Sequence, residues 1–154
     1  MRALIQRVSG AWVEVEGSEI SRISSGLLVL LGVSKHDSIE DARYLVNKIT
    51  NLRVFSDEND KFNCSALDVG AEFLVVSQFT LYADTRRGRR PSFTQAASPD
   101  FAKRLYLETV QLFKESGLTV KVGQFQEHMM VHIDNDGPVT LAIDSDDRFN
   151  ARRC

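Results

Sequence analysis

The chain is poor in cysteine and in long apolar runs, and each shortage excludes a class of protein. Its 154 residues include two cysteines, Cys64 in a polar stretch and Cys154 at the last position. Two such cysteines form neither a disulfide framework nor a metal-binding pattern, so both are expected to be free thiols. The longest apolar run, GLLVLLGV at residues 26–33, is too short to span a bilayer. The N-terminal MRALIQRVSG lacks the apolar segment and cleavage site of a signal peptide, so we expect a cytoplasmic protein.

Neither sign of charge dominates. The chain has 19 Lys and Arg against 21 Asp and Glu, a formal net charge of −2. This balance argues against a protein that coats nucleic acid with its whole surface, although it leaves room for a local basic patch. The apolar content predicts one globular domain, which we assign to residues 1–145. Residues 146–154, within the polar stretch DSDDRFNARRC, are expected to form a flexible C-terminal tail.

The hydrophobic pattern predicts an α+β domain. Strands are indicated by ALIQRV (3–8), WVEVEG (12–17), GLLVLLGV (26–33), EFLVVSQFTLYA (72–83), TVKVGQF (119–125), MMVHID (129–134) and VTLAID (139–144). Helical spacing predicts one helix over residues 37–52, with Ser38 as its N-cap, and a second over residues 98–117, with Pro99 at its first position. Short connections favour a mostly antiparallel, barrel-like β-sheet frame with the two helices in a single domain.

Polar side chains interrupt the strand predicted at residues 72–83. Ser77, Gln78 and Thr80 come directly after the apolar run EFLVV. A buried polar group without a partner costs about 1–3 kcal/mol, so these groups need hydrogen bonds. If the strand continues, Gln78 and Thr80 share one face of the sheet while Ser77 and Phe79 share the other. Two interpretations stay open: ordinary strand residues that bond neighbouring backbone, or a site that holds a polar substrate.

A second unusual stretch is NDGPVT at residues 135–140. Asn-Asp-Gly between apolar strands predicts a hairpin. Pro138, however, stands where the next strand should begin pairing, and proline cannot donate a ladder hydrogen bond. Since only about 5–6% of X-Pro bonds in folded proteins are cis, these residues alone favour a trans bond.

Together, SQFTL at residues 77–81 and NDGPVT closely resemble the D-aminoacyl-tRNA deacylases of the bacterial and eukaryotic type. MRALIQRV, GLLVLLGV, RRPSF and GQF extend the resemblance, in order and spacing, over nearly the whole chain. It implies an enzyme that hydrolyses the ester between a D-amino acid and the terminal adenosine of tRNA, without a cofactor. It also implies a homodimer in which Gly137 and Pro138 form a cis dipeptide that enters the partner subunit's site and rejects L-aminoacyl-tRNA.

The resemblance also assigns roles to residues. It implies that the catalytic residues are Ser77, Gln78, Phe79 and Thr80, and that the substrate-binding residues are Arg7, Met129, Asn135, Gly137 and Pro138. The backbone N–H groups of Phe79 and Thr80 are the candidate donors to a developing oxyanion. A covalent role for Thr80 would need a neighbouring base. None of the three histidines lies in either motif, so we expect Thr80 and Gln78 to position the substrate, while its ribose 2′-hydroxyl and a water complete the reaction.

The stretch TRRGRRP at residues 85–91 places four arginines within five residues: Arg86, Arg87, Arg89 and Arg90. Such a cluster suits the phosphates of the acceptor end of tRNA. An equally ordinary interpretation is a solvated loop that aids solubility.

His128 and His132 are the only histidines close together in the sequence. On a strand their spacing would separate them by about 13 Å, too far to share a metal, so no metal site is expected. One alternative, an esterase for another small substrate, would require a Ser-His-Asp arrangement or a metal, and neither is visible. The other is a dimeric nucleic-acid-associated binding module without catalysis.

Overall fold

The computed structural model describes residues 1–150. Its strands are β1 (Arg2–Val15), β2 (Ser18–Ile23), β3 (Gly26–Gly32), β4 (Phe55–Ser56), β5 (Phe62–Cys64), β6 (Glu72–Ser77), β7 (Val120–Val122) and β8 (Met130–Asp144). Its α-helices are α1 (Ile39–Asn51), α2 (Ala66–Val69) and α3 (Pro99–Glu115), and two 3-10 helices span Phe79–Tyr82 and Ser145–Phe149. None of the helices within residues 1–150 combines the length and apolar character that crossing a membrane requires.

The main sheet has six strands: β3 pairs with residues 2–8 of β1 and β2 with residues 11–15, while β6 and then β7 follow β3. β8 pairs with both halves of β1 along its other edge. β1 pairs antiparallel with β2, β3 and β8, whereas β6 pairs parallel with both β3 and β7. The parallel pairs arise because α1 and α3 lie in the connections that lead to β6 and β7, and parallel strands require such crossovers. The Ser21 hydroxyl of β2 donates to the Val122 carbonyl of β7 at 2.8 Å, which nearly closes the sheet. The α+β, barrel-like frame is therefore confirmed, with a mixed sheet and a short additional helix, α2.

Two apolar clusters fill the molecule. The larger one lies between the sheet and helices α1 and α3, and includes Ile5 of β1, Leu45 of α1 and Phe113 of α3. The smaller one lies on the other face of the sheet, around Val13 and Leu74. The two long helices begin where the sequence predicts. Ser38 caps α1, and its N–H donates to the Asp41 carboxylate at 2.8 Å. Pro99 is the first residue of α3.

The strand predicted over residues 72–83 is wrong beyond Ser77. The Gln78 N–H donates to the Leu31 carbonyl at 2.8 Å, and there the ladder stops. The partner strand β3 ends at Gly32, so the chain beyond Ser77 has no strand left to pair with. It closes instead into the 3-10 helix Phe79–Tyr82, called the 79–82 turn below. Gln78 and Thr80 therefore do not share a sheet face.

The predicted hairpin at Asn-Asp-Gly is also wrong. Residues 130–134 of the segment MMVHID and the whole segment VTLAID belong to β8. Both run in the same direction along β1, with Asn135 opposite Val8 and Thr140 opposite Gln6. Residues 136–139, called the Gly-Pro loop below, bulge out between these two pairs. The reason is the length of β1: ALIQRV and the first four residues of WVEVEG lie in one 14-residue strand, which offers a partner to both segments.

A 3-10 turn, Ser145–Phe149, joins the last residue of the predicted domain to the start of the predicted tail. The Ser145 side chain is fully buried, its backbone N–H donates to the Met1 carbonyl at 2.8 Å, and Arg148 pairs with Asp41 of α1 at 3.1 Å. The flexibility expected from residue 146 onward stays a prediction. Cys64 is a free thiol, whereas Cys154 lies outside the described residues.

Candidate active site

An open cavity of about 550 Å³ lies where β6 ends. Three of the predicted catalytic residues, Ser77, Gln78 and Phe79, line one side of it, and the predicted substrate-binding residue Met129 lines another. The wall between them includes the aromatic ring of Tyr106 from α3. This cavity can hold an apolar or aromatic group beside several polar ones, as small-molecule sites do.

The 79–82 turn, which begins at this cavity with Phe79, carries unpaired donors; Thr80 follows Phe79 but is not itself one of the lining residues. Within it the Leu81 N–H donates to the Gln78 carbonyl at 3.3 Å, and the Ala83 N–H donates to the Thr80 carbonyl at 3.0 Å. The first N–H groups of a helix have no intrahelical acceptor. Among the hydrogen bonds within residues 1–150, none uses the N–H of Phe79 or Thr80. Two adjacent backbone donors are thus available to an oxygen atom of a ligand.

The side chains of the turn leave Thr80 without a base. The Gln78 amide donates to the Thr80 hydroxyl, and a neutral amide cannot take a proton from it. Phe79 is 58% exposed and packs edge-to-face on Phe93, with ring centroids 5.0 Å apart. The arrangement suits hydrogen bonding and orientation better than covalent catalysis by Thr80.

Met129 is fixed at the cavity wall by the segment that precedes β8. Its Sδ accepts a hydrogen bond from the Gln124 N–H at 3.3 Å. Gly123 leaves room for this contact, since a Cβ at that position would lie 2.8 Å from the sulfur. His128 also lines the cavity, whereas His132 stacks on Trp12 with ring centroids 4.5 Å apart. Within residues 1–150, no three side chains of the metal-ligating types come together.

Arg7 holds the Gly-Pro loop. Its guanidinium is largely buried, donates to the Val54 carbonyl at 2.7 Å and to the Asp136 carbonyl at 3.2 Å, and lies 3.3 Å from the Asp136 carboxylate. The peptide bond between Gly137 and Pro138 is cis. Gly137 has a φ of +125°, and an added Cβ would lie 3.1 Å from Nη2 of Arg7. Arg7 and the Gly-Pro loop are thus in close van der Waals contact, and a side chain at residue 137 would not fit between them without a shift.

Asn135, predicted to bind substrate, uses its side chain to close the loop. The side-chain oxygen accepts from the Val139 N–H at 3.0 Å, and the side-chain nitrogen donates to the Thr140 hydroxyl at 2.9 Å. Its role toward a substrate stays a prediction.

The structure does not bring the two motifs together within one chain. Ser77 pairs with Leu31, and Leu31 pairs with Ala3, so Ser77 is level with Ala3 on β1. Arg7 lies four residues further along β1, which is about 13 Å along the strand. The Gly-Pro loop projects from β8, three strands away from β6, which adds about 14 Å across the sheet. None of the residues 135–138 lines the cavity.

The predicted tRNA-binding arginines lie in an exposed loop closed by the bridge between Asp84 and Ser92. Arg86 is paired with Asp84 at 2.7 Å, and its hydrogen bonds lower the pKa of that carboxyl to about 2. No acidic group of residues 1–150 pairs with Arg87, Arg89 or Arg90. Among the described residues, three of the four arginines thus have no acidic partner and can meet a phosphate.

Sequence reasoning missed one wall of the cavity. Tyr106 is 3% exposed, its hydroxyl donates to the Val75 carbonyl at 2.8 Å, and burial raises the pKa of the phenol. Its position beside Leu105 on the buried side of α3 is the only signal that could have pointed to it. Phe125 was assigned to a strand that in fact ends at Val122. The glycine at 123 and the polar residues that follow it are the signal for that early end.

Comparisons with known proteins show which family the chain belongs to. Residues 4–144 match the model of the family described as D-Tyr-tRNA(Tyr) deacylase. A D-aminoacyl-tRNA deacylase from Thermosipho africanus is 58% identical over 94% of this chain and 97% of its own length. One from Clostridioides difficile is 55% identical over 97% of this chain and the whole of its own length.

Two solved structures resemble this fold. A protein described as a c-Myc DNA unwinding element binding protein is 40% identical, with a TM-score of 0.88 over 94% of this chain and 98% of that chain. A probable eukaryotic D-amino acid tRNA deacylase has a TM-score of 0.82 over 93% of this chain and 98% of that chain. At 18% identity, this second likeness concerns the fold alone.

Proposed function

Because the chain belongs to the D-Tyr-tRNA(Tyr) deacylase family and is a hydrolase of ester bonds, we propose that it cleaves D-aminoacyl-tRNA into free D-amino acid and reusable tRNA, as a chiral proofreader of translation in the cytoplasm. The observation that carries the proposal is the cavity at the end of β6, with the unpaired N–H groups of Phe79 and Thr80 beside it.

The chemistry requires little beyond these donors. An aminoacyl ester is already activated, and a backbone donor aimed at the developing oxyanion contributes a factor of about 10² to 10³. Phe79 and Thr80 each supply such a donor in this proposal. The side chains of Gln78 and Thr80 orient the substrate, Ser77 and Met129 border it, and the ribose 2′-hydroxyl and a water complete the hydrolysis.

A second copy of the chain completes each site in this proposal. The Gly-Pro loop lies too far along the sheet to reach the cavity of its own chain, by about 13 Å along the strands and 14 Å across them. In a homodimer, Gly137 and Pro138 of one subunit enter the cavity of the other. Arg7 gives the loop the rigidity that such an insertion needs.

The Gly-Pro loop is proposed to select the enantiomer. A proofreader that accepts many D side chains must recognise the parts that all substrates share: the α-amino group, the Cα hydrogen and the ester. Backbone carbonyls of the loop can accept hydrogen bonds from the amino group. A fixed wall near Cα then excludes the L side chain by collision, so specificity comes from rejection.

The arginine loop is proposed to bind the acceptor end of tRNA. Arg87, Arg89 and Arg90 lack acidic partners among the described residues, and each can contact a phosphate directly. Arg86 contributes less, because Asp84 already pairs with it.

The decisive experiment compares the same tRNA charged with D-tyrosine and with L-tyrosine at equal enzyme, without metal and again with EDTA. Rapid loss of the D form alone, unchanged by chelation, is the expected result. Stability of both esters would contradict catalysis, and loss of both would contradict the role of the loop as enantiomer filter. Dependence on a metal would overturn the metal-independent mechanism.

The steric account makes a further prediction about glycine. Because glycine has no side chain to collide with the loop, glycyl-tRNA should be hydrolysed. Charging a tRNA with glycine and titrating enzyme tests this. Full resistance at high enzyme would count against rejection by collision.

Binding of DNA without catalysis is a second candidate function. The name of the 40% identical structure, a DNA unwinding element binding protein, favours it, together with the exposed arginine loop. Titration of labelled duplex DNA against uncharged tRNA separates the two functions. Tight binding to DNA with no ester hydrolysis would favour the binding module.

A further inference from the structure

Arg2 contacts the far end of the 79–82 turn, although nothing in its sequence context singles it out. Its Nη1 donates to the Leu81 carbonyl at 3.1 Å, and its Nε donates to the Asp144 carboxylate at 2.9 Å. The guanidinium carbon lies 4.7 Å from the centre of the Tyr82 ring. One side chain therefore joins the start of β1, the end of β8 and the end of the turn.

The 79–82 turn needs such a contact, because it is held by few bonds of its own. A 3-10 helix has poorer hydrogen-bond geometry than an α-helix, and the last carbonyls of any helix lack intrahelical donors. The Leu81 carbonyl is one of these, and Arg2 supplies its donor.

The turn is confined from the other side by Gly32. A Cβ on Gly32 would lie 3.0 Å from the Gln78 carbonyl oxygen and 3.2 Å from the Leu81 Cβ, so the turn rests directly on the last residue of β3. Gly32 is also the cross-strand partner of Arg2. The turn is thus held between a glycine that lets it approach the sheet and an arginine that fixes its end.

We propose that Arg2 is a positioning residue for the deacylation reaction: it holds the 79–82 turn so that the N–H groups of Phe79 and Thr80 stay directed at the reacting carbonyl. This rests on the proposed function. Arg2 does not line the cavity at Ser77; it borders a separate polar cavity together with Asp37, Tyr82 and Arg148. Its effect on the reaction passes through the backbone of the turn.

The test compares Arg2→Met with Arg22→Met, a closely matched control. Arg22 also pairs with a carboxylate, that of Glu19, and lies over an aromatic ring, that of Trp12 at 4.2 Å. The two arginine side chains are 47% and 51% exposed. Of these two arginines, Arg2 contacts the turn, whereas the contacts of Arg22 among residues 1–150 are with Glu19 and Trp12, so the comparison isolates the contact with the turn.

We expect Arg2→Met to lower kcat about tenfold with KM nearly unchanged, because misplaced oxyanion donors act on the transition state and not on ground-state binding. Hydrogen exchange should accelerate at the hydrogen-bonded amides of residues 81–83 and stay unchanged in β3. Arg2→Lys, which keeps one donor, should recover part of kcat. Arg22→Met should change none of these quantities.

Native kcat and native exchange in Arg2→Met would overturn the proposal, as would faster exchange across the whole sheet, which would indicate a merely structural role. If Arg2→Met does not fold, Arg2→Lys and Asp144→Asn replace it, and native kcat and exchange in both would overturn the proposal. If the native protein hydrolyses no D-aminoacyl-tRNA, the proposed function fails and the catalytic part of this proposal fails with it. The exchange of residues 81–83 then still decides whether Arg2 holds the turn.

Discussion

The 79–82 turn and the Gly-Pro loop carry the two motifs of the chain, but their polar groups are used in opposite ways. The turn leaves the N–H groups of Phe79 and Thr80 unpaired beside a cavity of about 550 Å³. In the loop, the Asn135 side chain bonds its own segment, and Arg7 braces the Asp136 carbonyl.

Under the proposed function, this difference separates a part that would receive the substrate from a part that would be presented to a partner subunit. A site with unpaired donors and space can bind a substrate, whereas a loop braced by Asn135 and Arg7 keeps its shape when it enters the cavity of a partner subunit. The register of the sheet keeps the two apart within one chain. The comparison therefore favours a site shared between two subunits, and the following changes test each side of it.

The largest effect is expected from Gly137→Ala. The residue has a φ of +125°, and the new Cβ would lie 2.8 Å from Val139 Cγ2, so the loop must shift. A displacement of about 1 Å in a positioning element can cost about 10² in rate, and we expect a loss of that size in kcat/KM for D-tyrosyl-tRNA. Gly17→Ala is the control, because Gly17 also has positive φ but no atom within 4 Å of the added Cβ. Equal rates for the two variants would contradict the role of the loop.

Arg7→Met should reduce both stability and activity. It leaves the Val54 carbonyl, an acceptor at 2.7 Å in a buried contact, without its donor. An unsatisfied buried acceptor lowers the free energy of unfolding by about 1–3 kcal/mol. In a chain of this size each kcal/mol lowers Tm by about 2–4 °C. We expect about a tenfold loss of kcat as the loop loosens. Arg43→Met, at an exposed pair with Glu40, should leave Tm within about 1–2 °C of the native value. A native Tm for Arg7→Met would show that the loop is held by other contacts.

Thr80→Ala distinguishes positioning from covalent catalysis on the turn. If Thr80 positions the substrate, the variant should retain more than about a tenth of the single-turnover rate, a loss under about 1.4 kcal/mol. Thr80→Ser, which keeps the hydroxyl that Gln78 contacts, should lose still less. Complete loss in Thr80→Ala with full activity in Thr80→Ser would instead identify an essential hydroxyl.

The smallest effects are expected in the arginine loop. Arg89→Gln removes a cation without an acidic partner among the described residues, so the slope of log K against log salt for tRNA binding should fall by about 0.7–0.9. The double variant Asp84→Asn, Arg86→Gln removes an ion pair and no net charge, so it should change the slope less. Salt-dependent binding of uncharged tRNA measures both. Equal slopes for Arg89→Gln and the native protein would assign the loop to solubility alone.

Helices α1 and α3 were predictable because their signals are local. Ser38 and Asp41 mark the start of one, Pro99 marks the start of the other, and apolar residues repeat at helical spacing between their ends. The ends of β6 and of the predicted hairpin were not predictable in this way. A strand stops where its partner stops. The partner of β6 is β3, and the paired residues Leu31 and Ser77 are 46 positions apart in the sequence, with α1 between the two strands.

The two long helices, the α+β class, the apolar strands and the two motifs that indicate the family could be predicted from the sequence, because each depends on residues close together in the chain. The turn after Ser77, the bulge of the Gly-Pro loop from β8, and the contacts of Arg2 and Gly32 with the turn could not be predicted in this way and appear only in the folded chain. These features depend on which strands run out of partners and which residues meet across the sheet, and such contacts join residues far apart in the sequence.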